Sequence, residues 1–362
     1  MKRFLVILVL TALLSTLVFA GGAQQQAVTA REITFVDQNF SYTRAAAEAF
    51  KQHVERETNG ALTVTILPWD ALGSDREVMD QLRLGEVEVY NATTGAISGV
   101  IPEVQMTNLP FLFENRYVGW QLFNDEAYLE FVQNYWLEKS DNSVRLLGAA
   151  ENSIRNLYTT RGPVRTPADL SSFAIKMRVP PIPMYVDLFT ELGSAAIVSI
   201  PAAERYTAMQ SGLMDGTEGG IASAYQAGLL EVAKFVTLTG HMFDHHYYII
   251  NNDFYMSLSP EFRRVVDEAG RLAAWVQSVG VKASEAESLQ MILDEGITVY
   301  EPTPAENAAW REIGVRVGTR LISEMVPADY MDVTFQAVER VAANLNMAEV
   351  EAQAARVSQY LD

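Results

Sequence analysis

The sequence predicts an α/β fold of two lobes with a ligand cleft between them, and three observations carry that prediction. Apolar strands alternate with helices without an intervening hairpin signal, which is the order of parallel βαβ units. A short internal repeat places a strand–helix–strand unit in each half of the chain. The third is size, since 362 residues, 49% of them hydrophobic, are more than one core usually organises.

The opening MKRFLVILVLTALLSTLVFAGG has a short basic start, an unbroken apolar run and a small-residue exit. It reads as a cleavable secretory leader over 1–20, and the Ala-Gly-Gly exit with the polar AQQQ after it favours cleavage over an anchor. The chain has no cysteine, which excludes disulfides, thiolate metal sites and a cysteine-linked lipid. ITFV is then a strand, and TRAAAEAFKQHVERETNG is a helix with Ala46, Phe50 and Val54 on one face and Asn59-Gly60 as its stop. LTVTILP is the next strand, 75–84 a helix closed by Gly85, and VEVYNA a strand. The proline-broken 101–120 segment is a loop packed on the core, 117–138 is helical, VRLLGAA and NLYTT are short strands, and TPADL is a turn.

The order then recurs. AIKMRVPP is a strand stopped by two prolines, 182–192 a helix ended by Gly193, AAIVSI a strand, 201–211 a helix and 222–232 another. A long helix spans 260–295, and the last sixty or so residues are helical and acidic. EVMDQLRLGEVEVYN and ERYTAMQSGLMDGTE share a glutamate, a glycine and apolar positions at the same offsets, each after a strand ending in proline. Two related strand ends, one at Asn91 and Thr93, the other at Thr217 and Glu218, would face each other across a crevice.

Without Lys2 and Arg3 of the leader, 45 acidic residues outweigh 25 basic ones, a formal charge of −20. That field excludes nucleic acid as a partner, because such affinity comes from cations on phosphate. An anionic small molecule would need a local basic site. No phosphate-binding glycine loop, HExxH or GxSxG elbow is present. In DHHYY the adjacent His245 and His246 point to opposite faces of a strand, so they cannot easily share a metal. In AIKMRVPP the alternation buries Ile175, Met177 and Val179 and turns Ala174, Lys176 and Arg178 the other way. Arg178 thereby stands at a strand's carboxyl end, where open α/β sheets place ligands.

Taken as an ordered set, SIRNLYTTRGPVRTPADL, AIKMRVPP and ERYTAMQSGLMDGTEGG, with LGSDREVMDQLRLGEVEV and the helix after LSPEFRRVV, resemble the solute-binding proteins of tripartite ATP-independent periplasmic (TRAP) transporters, in the dicarboxylate and sugar-acid-binding branch. The resemblance implies a periplasmic-binding-protein-like fold, with hinge strands and a long helix spanning both lobes. Lobe I would hold 31–152 plus about 245–284, and lobe II 153–244 plus about 285–362. Arg178, the arginine of K-x-R-V-P, is implied to hold the ligand carboxylate bidentately, and Arg155 to be a second arginine. Asn91, Thr93 and His246 match polar ligand contacts, and Asn39 is a looser match. Glu218, the glutamate of D-G-x-E, is implied to support an arginine rather than touch the ligand. One departure is Gly219, where the family commonly has an asparagine, so an amide donor is missing.

The expected function is therefore a periplasmic binding protein that takes an organic acid anion and hands it to the membrane subunits of a TRAP transporter. It would act as a monomer, without cofactor, metal or catalysis. The alternative is an exported hydrolase or lyase on acidic sugars, using Glu218 and a second acid, for which no nucleophile–base or metal constellation appears.

Overall fold

The computed structural model describes residues 31–361; the leader expected over 1–20 lies outside the described residues. First come β1 (Arg31–Asp37), α1 (Ser41–Glu57), β2 (Leu62–Pro68), α2 (Asp75–Leu84) and β3 (Val89–Thr93). β1 pairs in parallel with both β2 and β3, as crossover helices require. Side chains set the limits of α2: Ser74 and Glu77 form a capping box at its start, and Gly85, at φ 76°, closes it. After α3 (Thr94–Ile97) and a packed 3-10 stretch come α4 (Arg116–Leu122) and α5 (Glu126–Lys139). The single helix expected over 117–138 is thus two, because Asp125 starts a new one by accepting from the Tyr128 amide.

Next in order are β4 (Val144–Thr159), α6 (Pro167–Ser172), β5 (Lys176–Val179), α7 (Pro183–Glu191), β6 (Ala196–Ser199), α8 (Arg205–Gln210), β7 (Gly216–Gly219), α9 (Ile221–Gln226) and β8 (Phe235–Asn251). VRLLGAA and NLYTT are not separate strands; both belong to β4. Its register against β8 shifts between Leu146/Gly148, Glu151/Ser153 and Arg155/Leu157, and such bulges break the alternation that would have joined them. The TPADL turn is the short helix α6. The helix expected over 222–232 stops at Gln226, since Gly228 adopts φ 68°.

The chain ends with α10 (Asn252–Ser257), α11 (Pro260–Asp294), β9 (Thr298–Tyr300), α12 (Pro304–Met325), α13 (Ala328–Ala343) and α14 (Met347–Val357). Among the described residues no helix is long and apolar enough to cross a membrane. All strands join one sheet of order β2-β1-β3-β8-β4-β7-β5-β6, with β9 on β8. The order mirrors itself about the β8/β4 pair. β1 and β5 each lie between two parallel neighbours, and Phe35 opposite Val89 corresponds to Met177 opposite Gly216. The sequence repeat is this duplicated unit.

One core gathers Phe35, Phe50, Trp136, Tyr248 and Val266 around the β1 half, and another gathers Met177, Phe189, Val317 and Trp310 around the β5 half. α11 packs in the first through Val266 and Val276, and its Ile292 joins a third cluster with Tyr158, Met209 and Leu230. A Cβ added to Gly270 would come within 2.6 Å of Leu147 Cβ, so only glycine lets this helix lie so close on β4. The residues of 285–362 are shared between the two cores. Trp310, Leu321 and Tyr330 pack in the second lobe, but Ala337, Val341, Val350 and Val357 return to the first lobe's core, because α13 turns its Ala337–Val341 face that way.

Candidate functional site

The carboxyl ends of the two duplicated units point at each other across β4 and β8. Thr93 at the end of β3 pairs with His246, which in turn pairs with Ala150, whereas Gly219 at the end of β7 pairs with Asn156. The stretch of β4 between those levels contains the Glu151/Ser153 shift, and it forms a floor shared by the two lobes. Asn152 and Arg155 from β4 and Asp244 from β8 stand on that floor, joined by hydrogen bonds. The lobes touch above it. Gln226 Nε2 donates to Ser41 Oγ at 3.3 Å, and Ile182 Cδ1 lies 3.4 Å from where a Cβ on Gly95 would stand.

Arg155 is fully engaged. Both oxygens of Glu218 accept from its Nε and Nη2, and Asp244 Oδ2 accepts from Nη1 at 2.7 Å. Its guanidinium also sits 5.1 Å from the centre of the Tyr185 ring. Burial would raise the Glu218 carboxyl, but the Arg155 guanidinium, with help from His241 3.6 Å away, holds it well below the usual carboxylate range. A forked guanidinium on a buried carboxylate is a rigid pair whose partners cost much to separate. Asp244 continues the network to Asn152 at 2.9 Å, and Asn152 to the Tyr42 hydroxyl at 3.1 Å on α1. The polar floor therefore ties both lobes together.

Arg178 is buried more deeply, at 3% exposure, yet pairs with no carboxylate among the described residues. Its Nε and Nη2 both donate to the Ile200 carbonyl, at 2.9 and 2.5 Å, a clamp from the end of β6 that fixes the fork's direction. Burial, then the nearby charge of Arg205, pushes Arg178 down to about 9. A cation so placed stabilises any anion that replaces its lost water. The alternation expected of AIKMRVPP is observed, with Ile175, Met177 and Val179 fully buried on the opposite face, although Ala174, at φ 49°, lies just before the strand.

The first lobe's wall is polar and mostly self-satisfied. Thr93 Oγ1 donates to Asp75 Oδ2 at 2.9 Å and accepts from the Ala96 amide, capping α3. The Tyr90 hydroxyl donates to Asp75 Oδ1 at 2.5 Å. His246 is buried with no partner for Nδ1, and burial pushes it down to about 4, with Asp244 and Asp75 opposing and Arg155 reinforcing. At neutral pH it is a neutral imidazole with a free nitrogen. His245 faces the other way, against Thr107 and Tyr247. Asn91 turns toward α11: its Nδ2 donates to Gln277 at 3.0 Å, while its Oδ1 is buried without a partner. Asn39 is exposed at φ 64° beside the Asp37 turn.

The structure thus gathers Arg155, Glu218 and Arg178 on one side and Thr93 and His246 on the other. Asn91 lies behind the wall, and Asn39 sits at its rim. Sequence reasoning missed Asp244, Tyr185, Asn152 and Arg205. For Asp244 a signal existed, since it lies two residues before His246 and so on the same strand face.

The sequence pattern of a known family, "Bacterial extracellular solute-binding protein, family 7", matches residues 34–323. An uncharacterised protein of Sinorhizobium fredii, y4mM, is 33% identical over 245 residues, 68% of this chain, and the chain spans 41% of that relative's length. The 2,3-diketo-L-gulonate-binding periplasmic protein YiaO of Escherichia coli is 25% identical over 254 residues, covering 70% of this chain and 75% of YiaO. Among solved structures, a TRAP periplasmic solute-binding protein from Ochrobactrum anthropi, with a C-terminus bound in the ligand-binding pocket, superposes with a TM-score of 0.78 at 26% identity. It covers 89% of this chain and 99% of that one.

Proposed function

Because the chain belongs to the bacterial extracellular solute-binding proteins of family 7, we propose that it is the periplasmic carrier of a TRAP transporter: it binds an organic acid anion, seats the carboxylate on Arg178 and delivers it to the membrane subunits. The observation that carries this reading is the contrast between two buried arginines. Arg155 already holds two carboxylates, whereas Arg178 holds only the Ile200 carbonyl. Arg178 is therefore the ligand's anchor, and Arg155 with Glu218 is the fixed framework behind it. Each charge-assisted bond to a ligand carboxylate contributes roughly 1.5–3 kcal/mol net, so a forked pair supplies about 3–6 of the roughly 8 kcal/mol that a micromolar Kd requires, and the other contacts supply the rest.

His246 and Thr93 would line the uncharged part of the ligand from the opposite wall, and the leader over 1–20 would export the chain. The relative YiaO is named for a sugar-acid anion, in keeping with this class of cargo. The family is one of binding proteins, which sets aside the hydrolase or lyase alternative.

A thermal-shift screen of the mature protein against mono- and dicarboxylates, sugar acids and matched neutral sugars tests the reading. A ligand at about a hundred times its Kd adds roughly 2.7 kcal/mol of apparent stability. Acids alone should stabilise the wild type, and Arg178→Ala should not respond. Equal stabilisation of both proteins by neutral sugars would remove Arg178 from the site.

A further inference from the structure

Arg205 opens α8, where an arginine ordinarily reaches into water, yet only 8% of it is exposed. Its Nε donates to the Ala202 carbonyl at 3.2 Å, and its terminal nitrogens meet neither an acceptor nor a carboxylate among the described residues. Nη1 stands 3.6 Å from the point where a Cβ on Gly219 would lie. Gly219 itself holds φ 153°, a backbone that side chains disfavour. The space that a side chain at position 219 would use at the end of β7 is therefore bordered by the Arg205 guanidinium.

A cation withdrawn from water without a counter-charge costs free energy that a partner must offset. The acid best placed to serve, Glu218, is committed to Arg155, and Glu204 beside it in the chain is exposed and unpaired. Tyr42 and Tyr158 approach Arg205 only as neutral hydroxyls, and burial together with Arg155 holds its guanidinium below the usual range. The strongest charge acting on Arg178 is Arg205. On this wall Arg155, Arg178 and Arg205 face the inward-turned Glu218 and Asp244, while Glu204, the other acid whose charge acts on Arg178, stays in water. On the opposite wall Asp75 accepts from Tyr90 and Thr93, and Asp37 accepts from the Asn39 amide through Oδ2 while its Oδ1 is buried without a partner.

We infer that Arg205 and Arg178 form a two-cation receptor, so that the ligand is a diacid: one carboxylate rests on Arg178, as the reading above holds, and the second meets Arg205. This makes Arg205 the residue that selects ligand charge.

Calorimetric titration tests it with malonate, succinate, glutarate, adipate and galactarate, each beside its monomethyl ester or, for galactarate, galacturonate. The wild type should prefer a diacid to its single-charge partner by roughly 10- to 100-fold, the range of one charge-assisted contact. Arg205→Gln should erase that preference while keeping monoacid affinity within about 3-fold, Arg205→Lys should retain part of it, and Arg178→Gln should lose both partners. The unliganded Arg205→Gln protein should melt at or above the wild-type temperature, because an uncompensated cation has been removed. Equal affinity for both partners in the wild type, an unchanged preference in Arg205→Gln, or a large fall in its unliganded melting temperature overturns the two-cation site alone. Undiminished binding by Arg178→Gln overturns the carboxylate reading instead, and failure of every acid to bind overturns both.

Discussion

At the register where β5 presents Arg178, β1 presents Val36: the first lies opposite Thr217 and the second opposite Tyr90, in units of the same topology. One step further along the neighbouring strands, Glu218 corresponds to Asn91 by the same offset. In the second lobe that pair of places holds a free cation and a carboxylate locked to Arg155. The first lobe has a buried valine and an amide turned into the scaffold toward Gln277. Its acids there are Asp37 at the end of β1 and Asp75 at the start of α2, and their hydrogen bonds stay within the lobe. Duplication of the fold fixes where a ligand can lie. On the proposed reading, the charged side chains at one copy's strand end would select the ligand, and the other copy would line it with hydrogen-bonded polar groups.

That contrast is most open to attack at its two corresponding positions. Glu218→Gln leaves Arg155 buried with Asp244 alone, and should cost about 3–5 kcal/mol of unfolding free energy. Asn91→Ala removes one buried hydrogen bond and should cost about 1–2 kcal/mol. Urea denaturation of both variants measures the difference, and equal costs would mean that the two lobes are held together in the same way.

A middle-sized effect lies in pH. His246 is pushed down to about 4 by burial, so between its ordinary value and that point the unfolded chain takes up a proton that the folded chain refuses. Stability therefore falls as pH drops through that window, by on the order of 1–3 kcal/mol from this group. Glu218 acts in a lower window: held below the usual range, it contributes above the ordinary carboxylate pKa and is lost as pH falls beneath it. Denaturation midpoints at about pH 7 and about pH 4.5 should separate the two, with His246→Gln flattening the upper slope. A slope unchanged by that substitution would show that His246 titrates normally.

Smallest is Thr93→Ala, which removes the α3 cap and the bond to Asp75. It should cost about 1 kcal/mol and change ligand affinity far less than Arg178→Ala. An equal loss of affinity would make the first lobe's wall an anchor rather than a lining.

The parts of this account legible in the sequence are those that a local period encodes. Ile175, Met177 and Val179 fix the buried face of β5, so Arg178 had to face the other way; the repeat announced the duplicated unit, and the apolar period gave α11 its length. What escaped depends on neighbours distant in sequence. β4 read as two strands because its bulges reset the alternation where the chain crosses between lobes. Nothing local singled out Arg205 within the helix expected over 201–211, and its place beside Gly219 emerges only in the fold. Asn91 sits at the expected strand end, but the amide of Gln277, far along the chain, turns it inward. The split of the C-terminal helices between two cores has no signature shorter than the fold itself.

The most direct test of the central claim is a crystal structure of the mature protein with an acid that stabilises it. The account predicts a ligand carboxylate within hydrogen-bond distance of Arg178, with Arg155 still forked on Glu218. A carboxylate seated on Arg155, with Glu218 displaced and Arg178 still bound only to the Ile200 carbonyl, would contradict it.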